Sequence, residues 1–389
     1  MALIVDRRSN ARSTHVVLIG VGAYPYLKGG AKPKKLFAHH ENMGQLLSPP
    51  HSIQALADWF LRHNSNPTHP LGSLQVLVSG TPTMLGVPGK RKRMSLQAAD
   101  AAHVVAGIGA WADRCDRNAD NLGIFYFCGH GVASGQEQSL LLRDFGRDTN
   151  SPFRDALAFS QLRTGMRRRR VKNQCFLVDA CRSVSETYLI NYGQNYTGDP
   201  VIAGAITSFL QGTNSQVFYA SELGSAAYGR PGQPSIFAEA LLAALNGMGA
   251  SQDDLGWAVT TSRLAEAINA HVTTQVFLES MPEQVCVCDG IAAPIALHRM
   301  THEPQVPVLV SCQPTEATVQ AAFSCTRNGA AVANGQCGES PAWRTWLPPD
   351  RYDFHASFSA RPRLFADGRS QDRFVAPPSA QVTIRATKV

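Results

Sequence analysis

Asn173–Ser183 reads NQCFLVDACRS. Its apolar run, Cys175-Phe176-Leu177-Val178, is brief, partly β-branched or aromatic, and bounded by polar residues, the pattern of a buried strand. The run delivers Asp179-Ala180-Cys181-Arg182, so a carboxylate, a thiol and a guanidinium gather where the strand leaves its sheet. Open α/β sheets bind ligands at the carboxyl ends of their strands. A second stretch, Asn121–Val132 (NLGIFYFCGHGV), repeats the plan. There Ile124-Phe125-Tyr126-Phe127 is the buried run, and it delivers Gly129-His130-Gly131.

Upstream, Thr14–Ala23 (THVVLIGVGA) reads as a first strand with a glycine-containing exit. No GxGxxG follows, so a dinucleotide fingerprint is not expected. Lys28–Pro50 is a long basic insertion containing His39-His40, a pair that lacks the further ligands of a zinc site. Ser52 can cap a helix whose Ile53, Leu56, Ala57, Phe60 and Leu61 share one face. Leu74–Val78 is a second strand, and Leu96–Arg114 a helix buried along Ala101, Val104, Val105, Ile108 and Trp111. Leu140-Leu141-Leu142 suits one arm of a hairpin, and Phe159–Arg167 a helix before the Cys181 strand. Strands alternating with helices predict a mostly parallel sheet with helices on both faces.

Downstream, Ser183–Ser215 is irregular, and loops of that length are usually functional. Val217–Ala220 is a further strand, Ser235 caps a helix through Leu245, and Leu255–His271 is another helix. After Cys288 the texture changes. Short strand-like runs (Val308–Val310, Thr318–Ser324, Tyr352–Phe358, Gln381–Ala386) alternate with Pro, Gly and Asn turns, predicting a small β-sandwich. The expected boundaries are 1–290 for an α/β domain and 291–389 for an all-β domain.

The 389 residues are 44% hydrophobic and 17% charged, the balance of a globular chain. No apolar run reaches the ~18 residues of a transmembrane helix, and the start lacks a secretory core. Nine cysteines without a framework spacing read as reduced thiols, packed or on the surface, with no metal pattern and a cytoplasmic setting. The net charge of +7 is concentrated in Lys90–Arg93 and Arg167–Arg170. Such runs can bind nucleic acid, but a solvated loop or helix end is the simpler reading. Neither nucleic acid nor membrane is expected as a partner.

A thiol becomes a strong nucleophile when a base takes its proton. A histidine can do so and then protonate the leaving amine. Backbone N–H groups hold the oxyanion, and side-chain-free Gly131 suits that task beside the N–H of Cys181. His130 precedes Cys181 by 51 positions, close to the ~50 that separates His from Cys in caspases. The pair Phe-Cys-Gly-His-Gly and Val-Asp-Ala-Cys-Arg, each after a buried run, resembles the caspase-like cysteine peptidases. The similarity is greatest to the bacterial and metacaspase-type branch, in which D-x-C is usual. Tyr219-Ala220-Ser221, Ala227-Tyr228 and Ile236–Leu241 resemble that family's substrate-binding strand, loop and following helix.

The resemblance covers about Thr14–Val272. It implies an endopeptidase with His130 and Cys181 as catalytic dyad, Gly131 at the oxyanion position, no cofactor, and protein substrates. Asp179 falls where branches specific for Arg or Lys line their primary specificity pocket, and Ser221 falls on the substrate-binding strand. A carboxylate pairs well with guanidinium, so cleavage after Arg, with Lys second, is expected. Arg182 and Arg230 leave open the cleavage after Asp found in caspases proper. Where the related branch carries Asn-Asp-Ala, this chain has His51-Ser52-Ile53, and Glu222 is the candidate replacement carboxylate. Cutting within 150–215, by another protease or by the chain itself, would activate a zymogen. A bacterial defence role follows from the resemblance alone. The alternative is a catalytically silent adaptor that binds a partner through its β-sandwich.

Overall fold

The computed structural model describes residues 3–7, 9–34, 43–134, 137–182, 198–202, 213–279, 283–290, 293–360 and 362–389. His39, His40 and most of the irregular stretch after Cys181 lie outside these. The chain divides into two compact units, residues 1–242 with 284–295, and residues 243–283 with 296–389.

The first unit is built in the order β1 (Leu3–Asp6), β2 (Thr14–Val21), α1 (Ser48–Arg62), β3 (Leu71–Ser79), the short pair β4 (Met84–Leu85) and β5 (Met94–Ser95), α2 (Ala101–Cys115), β6 (Leu122–Cys128), β7 (Gly131–Ser134), β8 (Glu137–Leu141), β9 (Ala156–Ala158), α3 (Phe159–Met166), β10 (Asn173–Asp179), β11 (Asn214–Tyr219) and α4 (Ile236–Ala243). Its main sheet runs β1-β3-β2-β6-β10-β11, closed by the edge strand Val287–Asp289. The five inner strands are parallel, while β1 and Val287–Asp289 are antiparallel edges.

Burial on both faces explains why the inner strands read as continuous apolar runs: every residue of β2 and β6 is buried. On one face, Val17, Ile19, Phe125, Phe127 and Phe176 share a core with Val104, Ile108 and Trp111 of α2 and with Phe159 and Leu162 of α3. On the other, α1 approaches so closely that a Cβ at Gly20 would lie 2.4 Å from Ile53 Cγ1.

Several helix starts differ from expectation. α1 begins at Ser48 rather than after Ser52, because Pro49 and Pro50 suit a first turn. Ser52 lies inside the helix, and its hydroxyl donates to the Ser48 carbonyl. α2 begins at Ala101, since the Asp100 side chain accepts the His103 N–H and caps it there. β7, β8 and β9 form a small antiparallel sheet that extends the hairpin expected around Leu140.

In the second unit the helix is Thr261–Glu279, preceded by a hairpin of Ala250–Asp253 and Gly256–Thr260. Gly256 has φ +104° at that turn, a value that favours glycine, and Leu255 stands exposed at its tip. The C-terminal residues form a three-stranded and a four-stranded sheet. Val308, Val310, Trp343 and Ile384 of the first share one core with Phe323, Phe354 and Val375 of the second. The run Thr318–Ser324 is not a single strand: a short 3-10 helix, Thr315–Gln320, precedes the strand Ala322–Arg327. No helix among the described residues is long and apolar enough to cross a membrane.

Candidate active site

Parallel register brings the two motifs together. Gly20 pairs with Cys128, and Cys128 with Asp179. The loops after β2, β6 and β10 therefore leave the sheet at one level, and His130 and Cys181 each lie two residues past a paired position. The Gly129 N–H donates to the Asp179 carbonyl at 3.2 Å, continuing the pairing one step further. A Cβ at Gly131 would lie 2.8 Å from the Cys181 carbonyl oxygen and 2.9 Å from Ala180 Cβ, so only glycine permits this approach.

His130 and Cys181 line one cleft of about 390 Å³, with Cys128, Asp179 and Ser235 among its other walls. Leu46, Leu47, Pro49, Ala227, Tyr228 and Pro231 contribute apolar lining. The His130 ring places Nε2 2.9 Å from the Gly44 carbonyl. A carbonyl can only accept, so Nε2 carries the proton and the neutral ring keeps its lone pair on Nδ1. Burial lowers the His130 pKa, and the bond to Gly44 opposes that in part.

The Cys181 sulfur accepts the Ala227 N–H at 3.4 Å and lies 3.9 Å from the Ala227 carbonyl. Burial raises its pKa, the Ala227 N–H lowers it, and the Asp179 charge raises it. These shifts favour a neutral thiol beside a neutral imidazole rather than an ion pair.

Asp179 is buried at the cleft floor. Its Oδ2 accepts the Tyr126 hydroxyl at 2.7 Å and the Ser235 hydroxyl. Burial raises the Asp179 pKa, and bonds from Ser235, Tyr126 and Cys128 counter this. Ser235 also accepts the Ala238 N–H at 3.0 Å, which makes it the cap of α4 as the sequence predicts. Ser52 accepts the Ser235 N–H at 2.9 Å. Where an acidic residue was sought, a hydroxyl therefore supports the floor, and Asp179 is the carboxylate among the residues that line the cleft.

Ser221 and Glu222 do not line the cleft. The Ser221 hydroxyl donates to the Ser225 carbonyl at 3.2 Å from a buried position. Glu222 is exposed, in a turn closed by the Ser225 N–H on its carbonyl. Arg182 stacks on the Tyr219 ring at 3.8 Å, and Arg230 pairs with Glu239. Neither arginine lines the cleft. Sequence reading missed Gly44, Ser235 and Tyr126 as site residues. Only Ser235, as a helix cap, carried a local signal.

A family model described as the caspase domain of a peptidase family matches residues 92–316. The uncharacterized protein y4kE of Sinorhizobium fredii is 30% identical over 237 residues, covering 55% of this chain and 65% of that protein. The chain thus spans slightly less than two thirds of that curated relative. The crystal structure of protein GSU0716 from Geobacter sulfurreducens aligns with TM-score 0.43 and 14% identity over 74% of this chain and 98% of that chain.

Proposed function

The chain belongs to the caspase-domain family of cysteine-type peptidases, and from that premise we propose that it is an endopeptidase working through a His130–Cys181 dyad. The observation that carries the reading is the shared cleft. Thiol, imidazole and a buried carboxylate line one cavity at register-matched strand ends. His130 Nδ1 takes the thiol proton as sulfur attacks the scissile carbonyl. The N–H groups of Gly131 and Cys181 hold the oxyanion. The imidazolium then protonates the leaving amine, and water releases the acyl group from sulfur.

The substrate residue before the cut is Arg, with Lys second. Asp179 supplies a buried negative charge whose Oδ1 is free of the bonds made by Tyr126 and Ser235, and a guanidinium matches it best. The arginines that would select Asp point elsewhere. Activation by cutting within 150–215 is part of the proposal. The arginine run 167–170 and the stretch 183–215 are the candidate cut sites, and within the run Arg169 is tied to Asp113 at 2.5 Å and Asp116 at 3.0 Å.

A fluorogenic peptide panel varying the residue before the cut, run with and without limited proteolysis, tests the reading. Arg peptides should be cleaved fastest, and Cys181→Ala should abolish turnover while retaining the fold. A folded chain inert toward every peptide, cut or uncut, would return the adaptor alternative.

A further inference from the structure

His130 sits between two glycines, where the main chain has most freedom, yet a general base must be held closely. What holds it comes from the segment after β2. Tyr24 is fully buried. Its hydroxyl accepts the His130 N–H at 2.8 Å and donates to the Leu141 carbonyl at 3.2 Å. Gly131 pairs with Leu140, so His130 and Leu141 are the next register pair. The Leu141 N–H reaches the His130 carbonyl directly at 2.9 Å. The reciprocal bond of an antiparallel pair instead runs through the phenol. A Cβ at Gly129 would lie 2.8 Å from Tyr24 Oη, so that glycine admits the hydroxyl. The two rings are 4.9 Å apart, tilted by 45°.

Gln45 completes the arrangement. Its Oε1 accepts the Tyr24 N–H at 2.8 Å, and its Nε2 donates to the Tyr24 carbonyl at 2.9 Å and the Lys28 carbonyl at 3.0 Å. Gly44, its neighbour, supplies the carbonyl that holds the imidazole. One cluster therefore fixes both the backbone and the ring of His130.

We propose that Tyr24 is a positioning residue for His130, and that Gln45 locks Tyr24 to the segment presenting the Gly44 carbonyl. This rests on the dyad reading above. The two contacts on His130, at its N–H and at Nε2, set where Nδ1 points. Losing either lets the imidazole swing, and Tyr24, unlike Gln45, does not line the cleft.

The test uses the full chain with Tyr24→Phe, Gln45→Ala and His130→Ala, and Tyr352→Phe as a matched control. Tyr352 is a buried tyrosine of the second unit whose hydroxyl donates to the Pro348 carbonyl at 2.9 Å. Two readouts are taken. One is cleavage of an Arg fluorogenic peptide. The other is the pH profile of iodoacetamide labelling at Cys181, read by peptide mass spectrometry. Tyr24→Phe should lower kcat by about 10- to 100-fold with KM within about twofold, Gln45→Ala should lower kcat likewise, and both should move the labelling profile toward that of His130→Ala. Tyr352→Phe should lower only the melting temperature. Wild-type kcat and labelling in Tyr24→Phe would overturn the proposal. Should no peptide be cleaved, the labelling profile decides alone, by the same comparison. A His130→Ala chain that labels and cleaves like wild type would instead remove the dyad reading, and the proposal with it.

Discussion

Cys128 and Asp179 face each other across neighbouring parallel strands, and two residues beyond them the chain turns out His130 on one side and Cys181 on the other. Two residues of exit from a shared level are what bring an imidazole and a thiol, far apart in sequence, into one cleft.

The carboxylate at the cleft floor should decide specificity. Asp179→Asn keeps shape and removes charge, so kcat/KM for Arg peptides should fall by about 10²- to 10³-fold, the scale of losing one partner of a buried charge pair. Peptides with an uncharged residue before the cut should change little. A variant that keeps its Arg preference would place the specificity pocket elsewhere.

Removing the Ser235 hydroxyl acts on fold and site together. Ser235→Ala deletes the cap of α4 and one donor to Asp179. Stability should drop by about 1–2 kcal/mol. The acid limb of Arg-peptide cleavage should also shift upward in pH, since that donor opposes the rise of the Asp179 pKa. Melting curves and pH–rate profiles measure both.

Resting protonation follows from the two opposed shifts. The His130 pKa lies below its ordinary 6.5 and that of Cys181 above its ordinary 9.0. The free chain should hold a neutral pair across neutral pH. Iodoacetamide labelling of Cys181 in the free wild-type chain should therefore lack a thiolate-like plateau at pH 6, and in His130→Ala, without the base that takes the proton, it should rise only at higher pH still. A thiolate-like labelling rate at pH 6 in the wild-type chain that is lost in His130→Ala would contradict the assignment.

Glycine at 131 should be irreplaceable. An added Cβ meets the backbone of Cys181 and the Ala180 methyl, neither of which can rotate away. Gly131→Ala should cost about 10²-fold in kcat through displacement of the nucleophile, and should lower the melting temperature. Wild-type kinetics in this variant would show that the two loops are not held as closely as described.

Far from the cleft, His15 should set an acid limit on stability. It is buried on β2 with Nδ1 2.9 Å from the Ser73 hydroxyl, and Arg114 donates to that hydroxyl at 3.2 Å and to Gln75. Burial first, then the charges of Arg114 and Arg117, against Asp6, lower its pKa from 6.5 to about 4. The unfolded chain takes up the proton near 6.5, whereas the folded chain resists until about 4. Its contribution is therefore complete above 6.5 and drains as pH falls toward 4, by about 3 kcal/mol. His15→Gln should flatten the fall in unfolding free energy over that window, measured by denaturant titration at several pH values.

Much of this protein was legible before any coordinates. The buried runs at Val16–Ile19, Ile124–Phe127 and Cys175–Val178 are local patterns, and strands covered on both faces can hardly read otherwise. The glycine-flanked histidine and the D-x-C sequence are equally local, so the candidate dyad could be named from residues, and Asp179 from the family resemblance those motifs carry. Helix starts were less legible, because Pro49-Pro50 and Asp100 competed with other plausible caps. Tertiary structure alone decided what surrounds the candidate dyad. Gly44 acts through a carbonyl that every residue possesses, 86 positions from His130. Tyr24 acts across 106 positions, and Ser235 reaches Asp179 across 56. A hydroxyl or a peptide oxygen carries no sequence signal of its partner. Its role exists only once register and packing have fixed the distance.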